Sequence, residues 1–482
     1  MDQPPSSTTP LSHNPPDTKG QGFSHDSTIR SATLVVAITG SFIVPFMGSS
    51  VNVILPAIEK NLHIDAVLLS WVATAYLLAA GITLVPMGRL ADIIGRKKIL
   101  GLGFSLFALG SLAVSMAQSF PMLMIFRTLQ GMGSGMIFGT SMAMLTSVFP
   151  PEERGKVLGV TTSAVYIGLS SGPFVAGILV QQIGWRVLFI VTFVLSFIPL
   201  VLLFTRLKGE WADAAGEKYD TPGAFIFGIA LFSLVYGFSK LPGTVGLIML
   251  AIGIPAMIFF ILRQMRIPSP LIDISLFTRN RVFARSNLAA LIHYGSTFGL
   301  NFLLSLYLQY IKGLSPQTTG IILISQPIMM ALGSPFAGRL SDRVEPRILA
   351  TTGMSMTCAG LLALSFLTPS SPVLLIVCNL IFLGCGFALF SSPNMNAIMS
   401  SVEKRHLGLA SGSAATMRLL GQMFSMGIVT MIISLLMGKT QISPDTYPVL
   451  LKCIRIAFTL FSGLCVFGIF ASLSRGNIRE RV

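Results

Sequence analysis

Charged side chains are scarce in this chain: Lys, Arg, Asp and Glu make up only 11% of its 482 residues, whereas hydrophobic residues make up 52%. A soluble domain carries about 25% charged residues. The mean hydropathy of +0.77 agrees with this shortage. Together these values exclude an ordinary soluble domain and indicate a chain that is surrounded mainly by lipid.

Cysteines are also few, and the chain lacks the patterns that indicate a metal, a cofactor or a nucleotide. The five cysteines lie within or at the edge of apolar segments and show no metal-ligand or redox spacing. The sequence Gly438-Lys439-Thr440 has Ile433 where a phosphate-binding loop needs its first glycine. We therefore expect no metal, no cofactor, no ATP-driven pumping and no enzymatic activity.

Acidic residues number 18 against 33 Lys and Arg, which leaves a net charge of +15. The basic residues lie in short loops rather than in one patch with interleaved aromatic residues, so nucleic-acid binding is not expected. They follow instead the rule that basic loops face the cytoplasm, with seven exceptions on the other side and two, Arg127 and Arg418, within spans. The sequence predicts a multi-pass protein of the cell membrane with both termini in the cytoplasm.

Fourteen segments are long and apolar enough to span a membrane, which takes about 20 residues each. Residues 1–30 lack the apolar core of a cleavable signal and are predicted to form a disordered cytoplasmic tail, and residues 475–482 a second cytoplasmic tail. The predicted spans are 32–56, 68–88, 99–117, 121–144, 157–181, 186–205, 222–240, 243–263, 284–310, 316–338, 348–368, 371–395, 407–436 and 451–474.

A short basic sequence occurs twice between apolar segments, at Gly88–Lys98, which we call the signature loop, and in weaker form at Gly338–Arg343. The copies follow the second and the tenth span. This offset of eight exceeds the six that a repeat of six-helix halves gives. We assign the surplus to an inserted helix pair at 222–265, which leaves an N-terminal half at 31–206 and a C-terminal half at 283–474.

These features resemble the 14-span major facilitator transporters of the drug:proton antiporter group. The resemblance implies an all-α integral membrane fold of two six-helix halves plus the inserted pair. It also implies a monomer that exports small amphipathic molecules by alternating access, coupled to protons. The alternatives are an uptake or exchange carrier for an organic anion or nutrient, and a non-transporting receptor. Further matching segments are Trp71–Tyr76, Arg127–Gly133, Gly168–Pro173, Trp185-Arg186, Tyr307–Gln309, Pro393-Asn394 and Met417–Gln422.

In the signature loop, Gly88 and Gly95 let two helices turn within a few residues, and Asp92 is suited to accept hydrogen bonds from helix-terminal amides. Anchoring at the cytoplasmic face is an alternative explanation for Arg96 and the other basic residues. The resemblance implies that this loop, with Asp342 in the second copy, latches the two halves together and is released during transport.

Two motifs of the first half carry functional expectations. Arg127 lies within the fourth span, where a charge costs at least about 2.5 kcal/mol, and Gln130 shares its helix face. We expect this stripe to face an aqueous cavity, unless Arg127 reaches back to the membrane surface. The resemblance implies that Arg127 takes part in proton transfer or tunes the carboxylate that carries the proton.

The fifth span combines small residues with a proline, which allows close helix packing and a bend. Ordinary tight packing is an equally good explanation of this pattern. The resemblance associates it with exporters, so we expect outward transport. The residues are Gly168, Gly172, Pro173 and Gly177.

The resemblance implies that polar residues of the ninth and twelfth spans line the substrate cavity, and a polar stripe on the thirteenth span is expected to face the other half. Those of the ninth span fall at intervals of four, and therefore on one helix face. Its histidine is also a candidate proton carrier, because imidazole titrates near neutral pH, although a neutral packing role is the alternative. The predicted cavity residues are His293, Thr297 and Asn301, then Asn394 and Asn396, and Arg418.

No acidic residue lies in the middle of a predicted span, and Met47 stands where the resembled family has an aspartate. A proton antiporter needs a titratable group whose proton affinity differs between states, and arginine stays protonated. Three hypotheses follow: His293 carries the proton, Asp92 carries it from the loop, or export is not proton-coupled. The missing acid also predicts a neutral or anionic substrate rather than a cation.

Overall fold

The computed structural model describes residues 26–403, 407–438 and 440–476. Within these ranges the secondary structure is helical. Helix α1 begins at Ser27, within the predicted tail at 1–30. Residues 1–25 of that tail and residues 477–482 of the second predicted tail lie outside the described residues. The long helices are α1 Ser27–Leu62, α2 Ala66–Ile94, α3 Arg96–Ser115, α4 Phe120–Val148, α5 Pro151–Gln182, α6 Arg186–Thr205, α7 Thr221–Ser239, α8 Thr244–Gln264, α9 Arg281–Ile311, α10 Pro316–Ser341, α11 Pro346–Leu364, α12 Val373–Ser400, α13 Leu407–Leu436 and α14 Tyr447–Leu473.

Thirteen helices of the described residues are long and apolar enough to cross a membrane. The remaining long helix is α4, whose 29 residues include Arg127 and Gln130. Because α4 packs among α1, α2 and α3, its polar side chains are shielded from lipid by protein. The chain is therefore an all-α integral membrane protein.

Two of the few acidic residues cap the starts of helices. Asp26 and Asp65 accept hydrogen bonds of 2.8 Å from the amides of Thr28 and Leu68, at the beginnings of α1 and α2. Such caps satisfy amides that have no partner within the helix. Part of the acidic content therefore serves helix initiation.

Asp220 caps α7 and also joins it to the end of α8. Burial raises the pKa of this carboxyl, but hydrogen bonds from Arg263, the Gly223 amide and Gln264 outweigh burial and hold the pKa below its ordinary value. The ionised carboxylate is the form that these donors stabilise. The two ends of the α7–α8 hairpin are thus tied at one point.

Helix packing repeats with an offset of eight helices. In the first set α1 packs on α5 and α6, α2 on α4, and α3 on α4 and α6. In the second set α9 packs on α13 and α14, α10 on α12, and α11 on α12 and α14. We call α1–α6 the first half and α9–α14 the second half. The spacing of the two signature copies therefore corresponds to a repeat in packing.

The α7–α8 hairpin stands outside both sets. Helix α7 packs on α2 of the first half and on α13 of the second, whereas much of α8 is exposed and would face lipid. Its bounds, Thr221 to Gln264, lie within one residue of the predicted pair at 222–265.

We call the end of the bundle with the signature loop the signature end, and the end with the α1–α2 turn the far end. Hydrogen bonds between the halves cluster toward the far end. Ser305 and Gln309 of α9 donate to the carbonyl oxygens of Asn52 and Val53 in α1, at 2.7 and 3.0 Å. Gln309 lies in a π-helical turn, Tyr307–Ile311, a distortion often found at functional sites. The halves are thus joined at this end.

Candidate transport site

A cavity of about 100 Å³ lies between the two halves. Residues of α1, α2, α4 and α5 line one side, and residues of α9, α10, α12 and α13 line the other. Thr297, Asn301 and Arg418 are among them, as predicted from the sequence, together with Gln326 and Gln422. The predicted helix faces therefore do meet at a common space.

Arg418 supplies a positive charge to this cavity. Its guanidinium carbon lies 5.2 Å from the ring centre of Tyr294 and 5.7 Å from that of Phe138, so it contacts aromatic faces from both halves. No ion pair holds Arg418 among the described residues, and none of the residues described as lining the cavity is acidic. The cavity is thus suited to groups that accept hydrogen bonds from a cation.

Met47 is fully buried in α1 and lies outside the cavity lining. Its neighbours Gly48 and Ser49 do line the cavity. The position where the resembled family has an acid is therefore filled by an apolar packing residue in this chain.

Arg127 is buried and does not reach the membrane surface, which overturns the alternative that it snorkels. Its Nε donates to the Val72 carbonyl at 3.1 Å, its Nη1 donates to Oε1 of Gln130 at 2.6 Å, and its guanidinium lies 4.4 Å from the ring centre of Tyr76. The Tyr76 hydroxyl donates to Ser134 at 2.9 Å, and these two residues line the cavity. Arg127 therefore packs against Tyr76 on the side away from the cavity and does not line the cavity itself.

Gln130 also lies behind the cavity and not in its lining, contrary to the prediction. Its Nε2 donates to the hydroxyl of Ser111 in α3 at 2.7 Å. The helix face that the sequence assigned to water is thus used to join α2, α3 and α4, because buried polar groups need partners.

His293 is fully buried one layer away from the cavity. Its ring stacks on Phe390 with 4.0 Å between centroids and lies 4.9 Å from Phe387 and 5.8 Å from Tyr294. Neither ring nitrogen has a hydrogen-bond partner among the described residues. Phe387 and Tyr294 separate this imidazole from the cavity that they line.

Asn394 and Asn396 are placed away from the cavity, so the prediction that they line it is wrong for this structure. Asn394 accepts a hydrogen bond of 2.9 Å from Arg475 and donates to the Ser286 carbonyl at 3.1 Å, whereas Asn396 donates to Ser341 at 2.9 Å. Arg475, predicted to start the second tail, is itself buried. The bend at Pro393 was a misleading signal, because these amides hold neighbouring helices together.

In the signature loop, Arg96 is the central residue. Its guanidinium donates twice to Oδ1 of Asp92, at 2.9 and 2.6 Å, pairs with Asp213 at 2.8 Å, and contacts the Ala143 carbonyl and Ser147 of α4. Only 8% of its side chain is exposed. The sequence predicted that Asp92 accepts hydrogen bonds from helix-terminal amides, whereas in the structure its carboxylate accepts from the Arg96 guanidinium, in an ion pair between the end of α2 and the start of α3.

Residues 207–217, between α6 and α7, lie across the signature loop, and we call this segment the acidic strap. Glu210 accepts a hydrogen bond from the Lys97 amide at 2.7 Å, and Glu217 pairs with Arg89 at 2.5 Å. Two backbone hydrogen bonds, Arg96 to Trp211 and Ala214 to Asp92, complete the contact. Nothing in the sequence pattern indicated that this linker would fold back.

Gly95 makes the strap contact possible. Its φ of +122° favours glycine, and a Cβ at this position would collide with the side chain of Glu210. Gly88, by contrast, faces Gly139 of α4 with room for a small side chain. In the second copy of the signature, Asp342 is the C-terminal cap residue that follows α10.

The glycines of α5 serve two different contacts. Gly168 and Gly172 face α1, where a Cβ on Gly172 would lie 2.8 Å from the Phe46 carbonyl oxygen. Gly177 faces the second half, where a Cβ would lie 2.6 Å from the carbonyl oxygen of Pro316. Pro173 completes this contact, because its carbonyl oxygen packs against Gly320 of α10. The motif thus controls how closely the halves meet at the far end.

Comparison with known families agrees with this geometry. A family model described as Major Facilitator Superfamily matches residues 37–272 and 287–479, which is most of the chain. The chain belongs to the major facilitator superfamily. As members of this superfamily are transporters of small molecules, the cavity between the halves is the expected place for a substrate.

Two individual relatives show which members of the superfamily this transporter is similar to. The riboflavin transporter RibZ of Clostridioides difficile is 30% identical over 388 residues, covering 80% of this chain and 84% of the relative. The multidrug resistance protein Stp of Mycobacterium tuberculosis is 28% identical, covering 85% of this chain and 76% of the relative. A multidrug resistance protein and a riboflavin transporter are thus both similar to this transporter.

A solved structure confirms the fold. A bacterial homologue of the human lysosomal transporter Spinster, in an inward-facing and unoccupied conformation, superposes with a TM-score of 0.67, covering 93% of this chain and 97% of that chain. The sequence identity is 16%, so this likeness concerns the fold alone.

Proposed function

We propose that this transporter is a secondary active exporter of small amphipathic molecules that works by alternating access and is coupled to protons. In this proposal it is a monomer in the cell membrane, it has no enzymatic activity, and its termini and signature end face the cytoplasm. The observation that carries the proposal is the cavity between two repeated halves, joined at the far end by α9 and α1. Opening that junction and closing the signature end would expose the cavity to the opposite side.

The substrate that fits this cavity best is a neutral or anionic molecule with a planar aromatic group. Tyr76, Phe138, Tyr294 and Phe387 offer ring faces for stacking, and Arg418 offers the charge. A cation would enter a cavity that already holds a positive charge, with no acidic residue among its described lining.

We expect Arg418→Ala to weaken the binding of an anionic aromatic probe by about 10- to 150-fold, because hydrogen bonds to charged groups contribute about 1.5–3 kcal/mol. Riboflavin and its 5′-phosphate form a matched probe pair, since they share the ring and differ in charge. Dissociation constants would be measured by flavin fluorescence on purified protein. The phosphate ester should lose much more affinity than riboflavin, and Arg418→Lys should retain part of it. Equal losses for both probes would contradict an anion-binding role.

For proton coupling, we favour His293 over Asp92 and Arg127. The Asp92 carboxylate is paired with the Arg96 guanidinium. Arg127 donates to the Val72 carbonyl and to the Gln130 amide oxygen, and neither of these acceptors is a carboxylate that could carry the proton. Within the part of the chain that the structure describes, neither ring nitrogen of His293 has a hydrogen-bond partner, and the ring lies against two residues of the cavity wall. Rotation of those aromatic side chains would admit water to the imidazole.

Transport in proteoliposomes with an imposed pH gradient tests both parts of the proposal. We expect uphill movement of a substrate from a panel of neutral, anionic and cationic aromatic compounds, driven by the gradient. In His293→Ala the gradient should no longer drive accumulation, whereas downhill exchange should persist. If the wild type transports equally well without a pH gradient, transport is not coupled to protons, and the protein moves its substrate only down the substrate's own gradient.

The relative named as a riboflavin transporter favours a second candidate, an uptake or exchange carrier for a nutrient. The two candidates share the cavity and differ in the direction of flux. Loading vesicles of known orientation from either side decides between them, because an exporter accumulates its substrate on the side of the far end.

A further inference from the structure

The two halves also meet through a loop at the far end. Residues 440–442, which follow α13, lie against the turn between α1 and α2. The Ala66 amide donates to the Thr440 carbonyl at 3.2 Å, and Gln441 donates to the His63 carbonyl at 3.3 Å. The Ile442 amide donates to Oε1 of Glu59 at 3.1 Å. We call these three hydrogen bonds the far-end latch.

Glu59 is the only titratable side chain that takes part in these three hydrogen bonds. It is 6% exposed, and its Oε2 has no hydrogen-bond partner among the described residues. No described basic side chain forms an ion pair with it. A buried carboxylate without such compensation is costly, and the protonated form avoids that cost.

The charged and titratable groups around the latch are few. On the side of the first half they are Lys60, which is exposed, and His63 and Asp65 in the turn. On the side of the second half Asp445 follows the loop and is exposed, and Lys439 lies outside the described residues. Residues 440–442 themselves carry no ionisable side chain. The aqueous phase at the far end is therefore the nearest source of a proton.

We propose that Glu59 is a proton-binding site of the far-end latch, protonated while the halves are joined there and ionised when they separate. When the latch opens, the carboxyl group enters water and releases its proton to that phase. When the latch closes, one oxygen accepts the Ile442 hydrogen bond and the other must carry a proton. Protons from the far side therefore favour the closed latch, and their removal favours opening.

This proposal adds to the proposed function, because a proton-binding latch would set how readily the emptied carrier returns from the far side. It does not replace His293 as the group that couples transport to the gradient. Glu59 lies just beyond the first predicted span, 32–56, and was therefore not among the proton carriers proposed from the sequence.

Hydrogen exchange of residues 440–447 in the full-length protein tests the proposal without any transport assay. Protection factors, which are normalised for the intrinsic effect of pH on exchange, would be measured between pH 5 and pH 9. In the wild type we expect protection to fall by at least about tenfold as the pH rises, since a tenfold change in proton affinity gives a tenfold change in the latch equilibrium. Glu59→Gln, which keeps the acceptor oxygen but cannot ionise, should remain protected throughout.

Two further variants make the result decisive. Lys60→Gln alters a charge on the same helical turn and should behave like the wild type. Glu59→Asp still titrates but is too short to reach Ile442, so protection should be lower while its pH dependence remains. A wild type with constant protection, or a Glu59→Gln variant as pH-dependent as the wild type, would overturn the proposal. Failure of the proteoliposome assay, in contrast, would count against export and leave this measurement intact.

Discussion

Replacing Gly177 with alanine is expected to reduce transport by about 5- to 150-fold. The new Cβ would lie 2.6 Å from the carbonyl oxygen of Pro316 and 3.0 Å from the Cα of Gln317. Both are backbone atoms, which cannot rotate away, so α5 and α10 must separate at the far end. Overpacking of this kind costs about 1–3 kcal/mol. This free energy corresponds to an about 5- to 150-fold decrease in the population of the conformation in which α5 and α10 are in contact. The same direction is expected for Gly320→Ala, whose Cβ would collide with Pro173.

Gly159→Ala is the matched control, because it makes the same change on the same helix at a position with no atom near the added Cβ. Substrate flux in proteoliposomes measures the effect, and hydrogen exchange of residues 440–447 reports whether the far end has opened. We expect Gly177→Ala to lose flux and far-end protection together. Normal flux in that variant would show that close contact of α5 and α10 is not needed for transport.

Arg96→Ala is expected to reduce transport by about tenfold or more and to lower the thermal stability of the protein. The substitution leaves Asp92 and Asp213 without their common partner and removes the contacts to α4. Hydrogen bonds to charged groups contribute about 1.5–3 kcal/mol, and the 30% and 40% exposure of the two acidic side chains places the loss toward the lower value. Flux and the midpoint of thermal unfolding in detergent would be measured side by side.

Arg89→Ala is the control for charge, since its pair with Glu217 is more exposed and such pairs contribute about 0–1 kcal/mol. Asp92→Asn should slow transport while substrate binding is nearly unchanged, because the signature loop lies away from the cavity lining. If Arg89→Ala proved as harmful as Arg96→Ala, general positive charge at the signature end would be the important property, rather than the Arg96 network.

Much of the fold could be predicted because membrane helices are encoded by long local patterns. Apolar segments showed where the helices lie, and the eight-span offset of Asp92 and Asp342 indicated the repeat that the packing displays. Thr297 and Asn301 line the cavity together for the same reason, as helical spacing predicts which residues share a face. The position of Arg418 in the cavity lining could be predicted because an intramembrane charge usually faces the protein interior.

The errors concern residues whose role depends on partners far away in the chain. Gln130 and Asn394 are polar residues within spans, and spacing alone cannot tell a cavity wall from a hydrogen bond between helices. Glu59 was overlooked because its hydrogen-bond partner, the Ile442 amide, lies nearly 400 residues later in the chain. The acidic strap escaped prediction because ion pairs between loops leave no periodic pattern in the sequence.

The strap also changes how the inserted helices should be regarded. It holds the signature loop by two ion pairs and two backbone hydrogen bonds, and three residues after it Asp220 fixes the start of α7 to the end of α8. Helix α7 in turn packs on α13 of the second half. The hairpin therefore connects the signature loop to the second half, so that a displacement of the signature loop would be transmitted to α13 through a short segment of chain that is anchored at both ends.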